Sequence, residues 1–240
     1  MDKIGSHFKQ EVRHFANLLG RVSCKQKIED VHQLRVSGRR LRALLWVLQN
    51  QNRITESKAL KKSLKKLGRK LGDRRQLDVA LKDARHFHLK TKKIKQLKKS
   101  RGDKLAKFIK NGEPERVLLD LRDLATHLSV KTKSNQIIKN QLRKDLEPWL
   151  HSRPKSRLDF HHLRIDAKKV RYVFEALNIP SQNLEKLQDK LGKFHDLQVL
   201  KGYTKKNKAI KRAEKKTLKK ANKLIRPALE SSVEVLKTLH

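Results

Sequence analysis

Four ionisable side chains recur at helical spacing near the start of the chain. His32, Arg35, Arg39 and Arg42 follow one another at intervals of three or four residues. On a helix that turns about 100° per residue they share one narrow stripe, which borders a face of leucines that we expect to pack inward. Arginine grips phosphate oxygens with two N–H groups, and a protonated histidine can donate to the same kind of anion. The stripe therefore predicts a site for a phosphate-type anion.

The same stripe occurs a second time, as His161, Arg164, Lys168 and Arg171. A second block also recurs: LKKL, LG and LDV between residues 64 and 79 return as LEKL, LG and LQV between residues 184 and 199. Two blocks repeated in the same order indicate a duplicated helical unit. Two such basic surfaces suit a long repeating polyanion better than one small phosphate ester.

The second block contributes further basic residues. Lys65 and Arg69 lie on one side of a predicted third helix, and Arg75 and His195 occupy matching positions after the LG pair in each copy. We predict that these residues extend the two surfaces. For His32 and His161 the alternative is a buried histidine bonded to a backbone carbonyl. Their recurrence beside arginine favours the binding interpretation.

Composition supports an anionic partner. Lys and Arg number 62 against 24 Asp and Glu, so the formal net charge is +38. Such an excess repels itself in a compact chain, which favours nucleic acid, an anionic membrane or a phosphate polymer as the partner. Aromatic residues make up only 5%, whereas binders of single-stranded nucleic acid commonly stack bases on aromatic rings.

Cys24 is the only cysteine, which excludes an intrachain disulfide and a zinc site built from several thiolates. This usage fits a reducing compartment. The N-terminal residues do not begin a signal peptide, and the longest apolar run is far too short to cross a bilayer. We therefore expect a cytoplasmic protein without a membrane span.

Leucine at spacings of three and four residues, with little Gly or Pro, predicts an all-α chain. Helices are expected near residues 3–19 and 25–49, the second with a capping box of Ser23 and Gln26. Thr55 is predicted to cap a third helix that ends at Gly72, and a fourth starts near Asp73. The Lys-rich segment 90–110 is left open as helix or loop.

Later elements are predicted from similar signals. Pro114 suits a first helical turn, a helix over 134–146 is expected to end before Pro148, and Ser156 with Asp159 forms a second capping box. Breaks are expected at Pro180, Gly192 and Gly202, and the Lys-rich segment 205–226 is interpreted as a solvated basic helix.

Motifs for catalysis are missing. The chain has no Walker phosphate loop, no Gly-rich dinucleotide motif and no HExxH. Asp166 and Glu175 are interpreted as isolated carboxylates. We therefore expect no enzymatic activity, no catalytic residue, no cofactor and no metal site.

The blocks HxLRVxxRRLR and HxLRIxxKKVRY, each followed by LxxLxxxLG and LxV, resemble the CHAD family, the conserved histidine α-helical domain. The resemblance covers essentially the whole chain. It implies two four-helix bundles related by a pseudo-two-fold axis, which we place at residues 1–110 and 111–240. It also implies binding of inorganic polyphosphate, at polyphosphate granules, with Arg40 and Lys169 joining the stripes. The Arg-Asp pair of the family is replaced by Arg75-Gln76 in one copy and by His195-Asp196 in the other.

The sequence thus predicts a polyphosphate-binding protein that uses both basic surfaces. The first alternative is a helical protein that binds nucleic acid without sequence specificity, with nucleic acid a weaker competing partner under the main prediction. The second is an enzyme acting on polyphosphate, and the third is an adaptor that brings a protein to the polymer.

Overall fold

The computed structural model of the protein describes residues 3–51, 53–54, 58–128, 135–204 and 207–238. Over these ranges all regular structure is α-helical, which confirms the predicted all-α class. The helices are α1 (Lys3–Cys24), α2 (Ile28–Asn50), α3 (Lys58–His86), α4 (Lys92–Lys110), α5 (Glu113–Thr126), α6 (Gln136–His151), α7 (Arg157–Ala176), α8 (Gln182–Tyr203) and α9 (Lys208–Lys237).

The chain forms two compact units, Met1–Thr132 and Lys133–His240. In the second unit α6 packs on α7, α7 on α8, α8 on α9 and α9 on α6, which makes the four-helix bundle that the resemblance implied. The first unit holds five described helices, because α5 packs against α1, α3 and α4. The boundary expected at residues 110 and 111 falls between α4 and α5, and the buried Val117 and Leu121 tie α5 to the first unit.

The repeated blocks lie on equivalent helices of the two units, the first on α2 and α7 and the second on α3 and α8. Leu34 and Leu41 on α2 and Leu163 and Val170 on α7 are all 0% exposed, as expected for the apolar face beside each basic stripe. Burial of these side chains stabilises each helix by about 1.5–3 kcal/mol per residue. The apolar face therefore fixes the direction in which each basic stripe points.

The boundary between α1 and α2 differs from the prediction. Ser23 still belongs to α1, and the residue that precedes α2, Lys27, makes no side-chain cap. The capping box of Ser23 with Gln26 is therefore wrong. Val22 is 1% exposed and holds the last turn of α1 in the core, while the Gln26 amide donates to the carbonyl oxygen of Gly102 at 3.2 Å.

Two glycines that were predicted to end helices lie inside them instead. Gly72 is within α3 and Gly192 is within α8, so the separate helix expected from Asp73 does not exist. Buried Leu71 and Leu77 flank the first glycine, and apolar burial on both sides outweighs the cost of about 1 kcal/mol for a glycine in a helix. Gly202 does lie at a helix end, one residue before the last of α8. Thr55 lies outside the described residues.

The helix boundaries that were predicted from prolines are only partly confirmed. Pro114 is in the first turn of α5 and Pro180 separates α7 from α8, as predicted. Pro148, however, is inside α6, which continues to His151. The missing N–H of Pro148 removes one hydrogen bond in the last turn, where the side chain is exposed, so the helix tolerates it. Ser134, the expected start of this helix, lies outside the described residues.

The predicted capping box at the start of α7 is confirmed. The Ser156 hydroxyl accepts from the backbone N–H of Asp159 at 3.1 Å, and the Asp159 carboxylate accepts from the backbone N–H groups of Ser156 and Lys155, each at 2.8 Å. These hydrogen bonds lower the pKa of Asp159, because they favour the ionised carboxylate. The cap fixes the first turn of α7, just before His161.

Both Lys-rich segments are helical. The segment left open becomes α4, and the basic segment expected near the C-terminus becomes the start of α9, with Lys205 outside the described residues. On α9 the backbone N–H groups of Ala209 and Ile210 donate to the side chain of Asn207, which caps the helix. Ile210, Ala221 and Ile225 are buried, so an apolar stripe offsets the repulsion between the exposed lysines.

A buried ion-pair network joins α3 to α4. Asp78 has a side chain that is 1% exposed, and it accepts from Arg74 Nη1 and from Lys98 Nζ, each at 2.8 Å. Arg74 is itself only 9% exposed. Removing the shared carboxylate would leave two cations near the core without their counter-ion, which is more costly than losing an exposed pair.

We therefore predict that Asp78→Ala lowers the free energy of unfolding by about 3 kcal/mol or more. The matched control is Glu230→Ala, which breaks the exposed pair between Arg226 and Glu230 and should cost less than about 1 kcal/mol. Urea denaturation of both variants, followed by circular dichroism, makes the comparison. Equal costs would contradict a stabilising role for the network.

Candidate anion-binding surfaces

The register between α2 and α3 places basic residues opposite one another. The Arg75 guanidinium lies close enough to His32 to perturb its pKa, and the Arg35 side chain lies against Gly72. Going from residue 32 to residue 35 on α2 corresponds to going from residue 75 to residue 72 on α3, so the two helices are antiparallel. Counted two turns further along the same register, position 42 on α2 corresponds to position 65 on α3, so Arg42 and Lys65 occupy matching positions.

We call His32, Arg35, Arg39, Arg42, Lys65 and Arg75 the unit 1 surface. Two other predicted residues lie at its margins. Arg69 is exposed on α3, one turn after Lys65, and Arg40 is half-buried on α2, about 100° around the helix from Arg39. The register thus brings together most of the first-copy residues that the sequence predicted.

Gly72 on α3 makes room for the side chain of Arg35 on α2. A Cβ atom at this position would lie 3.3 Å from Nε of Arg35 and 3.5 Å from its Nη2. A larger side chain would therefore push the guanidinium away from α3. The glycine in the LG block gives room for an arginine rather than ending a helix.

His32 is surrounded by cations. Its pKa is lowered, first because it is half-buried and then because Arg75, Arg35 and Arg39 repel a further positive charge, while Glu29 opposes the shift. Its Nδ1 atom is buried and has no hydrogen-bond partner within the described ranges. The alternative interpretation, a backbone carbonyl bound to His32, is therefore not seen for Nδ1 in this part of the chain.

In the second copy a histidine of α7 meets a histidine of α8, but no arginine of the described residues lies against Gly192 as Arg35 lies against Gly72. The rings of His161 and His195 stack with centroids 6.1 Å apart and planes inclined by 28°. The pKa of His161 is lowered, mainly by partial burial and then by His195, Arg164, His162 and Lys168. We call His161, Arg164, Lys168 and His195 the unit 2 surface.

Arg171, the predicted fourth member of this stripe, is held by its own neighbours. Its Nε donates to Gln188 at 2.9 Å, and its Nη1 lies 3.5 Å from carboxylate oxygens of both Glu175 and Glu185. Its side chain is only 14% exposed. These acceptors occupy the guanidinium that an anion would need, so the unit 2 surface ends at Lys168.

Lys169 is also paired. Its Nζ lies 2.5 Å from the Asp145 carboxylate on α6, a neighbouring helix of the same unit. The basic position that the resemblance assigned to anion binding therefore joins α7 to α6 in this unit.

Aligning the two copies explains the difference between the surfaces. Position 65 is Lys in the first copy and 185 is Glu in the second, and Arg69 corresponds to Asp189. In unit 1 the positions that correspond in this register are both basic, Arg42 and Lys65. In unit 2 the equivalent pair is Arg171 with Glu185, an ion pair. The Arg171–Glu185 ion pair was not predicted from the sequence, although an alignment of the two repeats shows the acidic residue at position 185.

Asp166 and Glu175 were predicted to be isolated carboxylates, but the structure gives each of them a protein partner. Glu175 and Glu185 share Arg171. Asp166 accepts from Trp149 Nε1 at 2.9 Å, and its pKa is raised, first by burial and also by the nearby charge of Asp145. Each of these carboxylates already has a protein partner. Across the described ranges no three His, Cys, Asp or Glu side chains cluster in a way that could hold a metal ion.

None of the described helices is both long enough and apolar enough to cross a bilayer. All Phe, Trp and Tyr residues of the chain lie in the described ranges, and none of them is exposed. The two surfaces therefore offer charge and hydrogen-bond donors but no exposed aromatic ring on which a base could stack.

Comparison with solved structures supports the fold. The crystal structure of the CHAD domain from the plant Ricinus communis matches with a TM-score of 0.67 and 21% identity, covering 100% of this chain and 92% of that one. PptA from Streptomyces chartreusis matches with a TM-score of 0.70 and 13% identity, covering 98% and 97%. No curated protein matches the chain significantly.

At the level of sequence, the family model of the CHAD domain matches residues 6–205, which include both basic stripes and both LG blocks. This match spans most of the chain, and the two structural neighbours share its fold. The chain therefore belongs to the CHAD domain family.

Proposed function

We propose that this protein binds inorganic polyphosphate through the unit 1 and unit 2 surfaces and does not act on it as an enzyme. The observation that carries the proposal is the antiparallel packing of α2 and α3, which brings Arg75 beside His32 and Arg35 beside Gly72 on one face. Like charges held side by side repel each other, and a polyanion laid between them removes the repulsion. Membership of the CHAD family supports phosphate polymer as that polyanion.

The length of the unit 1 surface favours a polymer. Its cations step along α2 by one turn at a time, about 5 Å each, from His32 to Arg42. A single phosphate ester could engage only one part of such a row, whereas a chain of phosphates could engage all of it. The absence of exposed aromatic rings favours phosphate polymer over single-stranded nucleic acid, which remains the alternative partner.

The proposal is tested first by removing two cations from each surface. Arg35→Ala with Arg39→Ala, and Arg164→Ala with Lys168→Ala, should each weaken binding of long polyphosphate by on the order of tenfold or more. The unit 1 pair should cost more, because that surface continues to Arg42 and Lys65. Each loss should also make the slope of log affinity against log salt less steep, since fewer counterions are released.

Arg122→Ala with Lys144→Ala removes the same charge from exposed positions on α5 and α6 and is the matched control. Binding isotherms at two salt concentrations, with duplex DNA as competitor at equal phosphate, give the readout. Equal losses in all three variants would mean that bulk charge alone binds the polymer. Preference for DNA would favour the nucleic-acid alternative, and phosphate release with added Mg²⁺ would favour an enzyme.

The difference between the two surfaces gives a second test. Glu185→Lys with Asp189→Arg installs the residues of the first copy in unit 2 and frees Arg171 from one carboxylate. We expect tighter polyphosphate binding, by about tenfold, and a steeper salt dependence. Glu115→Lys with Asp120→Arg makes the same change in net charge on the exposed face of α5. If both variants gain equally, Glu185 does not limit the surface.

The histidines predict a dependence on pH. In the free protein the pKa values of His32 and His161 lie below the usual 6.5. A bound phosphate favours the protonated rings and raises both values, so binding takes up protons. Affinity should therefore rise as the pH falls through the pKa values of the complex, and it should level off below the pKa values of the free protein. The total gain in affinity is about tenfold for each unit by which binding raises a pKa.

Isotherms between about pH 8 and about pH 5.5 would measure this slope. His32→Gln with His161→Gln should flatten it, whereas His14→Gln with His151→Gln, both at exposed positions, should leave it unchanged. A slope that survives the first pair of substitutions would assign the pH dependence to other groups.

A further inference from the structure

A concave pocket lies in unit 1 on a different side of α3 from the unit 1 surface. Its volume is about 560 Å³, and its walls come from the end of α1, the segment before α2, the middle of α3 and α4. Arg74 points into it, and Arg74 and Arg75 are consecutive, so their side chains diverge by about 100° around the helix. We call this cavity the α4 pocket.

The floor of the α4 pocket is positively charged and buried. Arg74 and Lys98 line it and share the single carboxylate of Asp78, as described above. Two cations on one carboxylate leave a net positive charge. The Nε of Arg74 is buried and has no acceptor among the described residues. An unsatisfied buried donor is costly, and an anion is the acceptor that suits a guanidinium best.

Gly102 keeps the space in front of this donor open. A Cβ atom there would lie 3.6 Å from Arg74 Nε and 3.6 Å from Gln26 Oε1. Any longer side chain would extend into the volume that faces the guanidinium. The Gln26 amide bonds the carbonyl oxygen of Gly102 and so holds the segment before α2 against α4.

The rim of the α4 pocket is also positively charged. Lys95 and Lys99 are exposed and one helical turn apart on α4, and both line the pocket. Asp103 is the one acidic residue among the lining residues at the rim, and Asp78 neutralises only one of the two cations below. The pocket therefore presents Arg74, Lys95, Lys98 and Lys99 against two carboxylates.

We propose that the α4 pocket binds a compact, multiply charged phosphate compound of the size of pyrophosphate or tripolyphosphate. The volume is in the range of about 300–1,000 Å³ that is typical of small-molecule sites, and its lining comes from α1, α3, α4 and the segment before α2. The lining offers one guanidinium donor and three ammonium groups, which match a short row of phosphate oxygens. This site is separate from the proposed polymer surfaces and does not depend on them.

Cys24 provides a reporter. It is the only cysteine of the chain, it is exposed, and it lines the pocket. Tripolyphosphate should slow alkylation of Cys24 by iodoacetamide several-fold, while orthophosphate at the same ionic strength should not. Calorimetric titration with tripolyphosphate gives the affinity directly. Long polyphosphate at an equal concentration of chain ends shows whether a free compound or a polymer end is preferred.

Lys95→Gln with Lys99→Gln should lower the affinity for tripolyphosphate at least tenfold and abolish protection of Cys24. Lys92→Gln with Lys93→Gln removes the same charge from exposed α4 positions that do not line the pocket and should change neither. Gly102→Leu should fill the pocket and prevent protection. If that variant does not fold, the lysine pair still decides the outcome.

Arg35→Ala with Arg39→Ala should leave protection of Cys24 intact, which separates this proposal from polymer binding at the unit 1 surface. The proposal is overturned if tripolyphosphate fails to protect Cys24 at millimolar concentration. It is equally overturned if the Lys92 and Lys93 control loses as much affinity as the pocket variant.

Discussion

Repulsion between cations held side by side is the constraint on which the rest of this molecule depends. The chain carries a formal charge of +38, and on α2 and α3 the register brings these charges level rather than apart. Apolar packing holds the two helices together against this repulsion. Leu34 and Leu41 on α2 and Leu64, Leu67 and Leu71 on α3 are at most 2% exposed and anchor the two helices. The core thus preorganises a surface that is costly without an anion and favourable with one.

The two units differ in the charges at matching positions of the repeated blocks. In unit 1 the matching positions carry Arg42 and Lys65, which are both basic. In unit 2 Glu185 takes the place of the lysine and, with Glu175 and Gln188, accepts from Arg171. The repeated blocks therefore differ most at this place, because position 65 is basic and position 185 is acidic.

The same opposition of charges shapes the buried network at Asp78. There one carboxylate serves Arg74 and Lys98 and ties α3 to α4, while the remaining positive charge faces the α4 pocket. Consecutive residues on α3 therefore serve different sides of the unit, with Arg75 toward His32 and Arg74 toward α4. A single helix can contribute to a basic row on one side and to a pocket on another because its side chains point in all directions around the axis.

The sequence by itself determined the helical class, the two basic stripes with their apolar neighbours, the repeated blocks and the cap at Ser156, because these depend on periodicity and contacts within one helix. It erred at Gly72, Gly192 and Pro148, where packing of flanking apolar residues outweighed the local preference for a break. Only the tertiary structure decided that Arg35 lies on Gly72, that Lys169 and Arg171 are taken by carboxylates, and that Gln26 meets Gly102 beside the pocket. Those contacts join residues on different helices, and their pairing follows from the antiparallel register and the packing angle, which the spacing along a single helix does not specify.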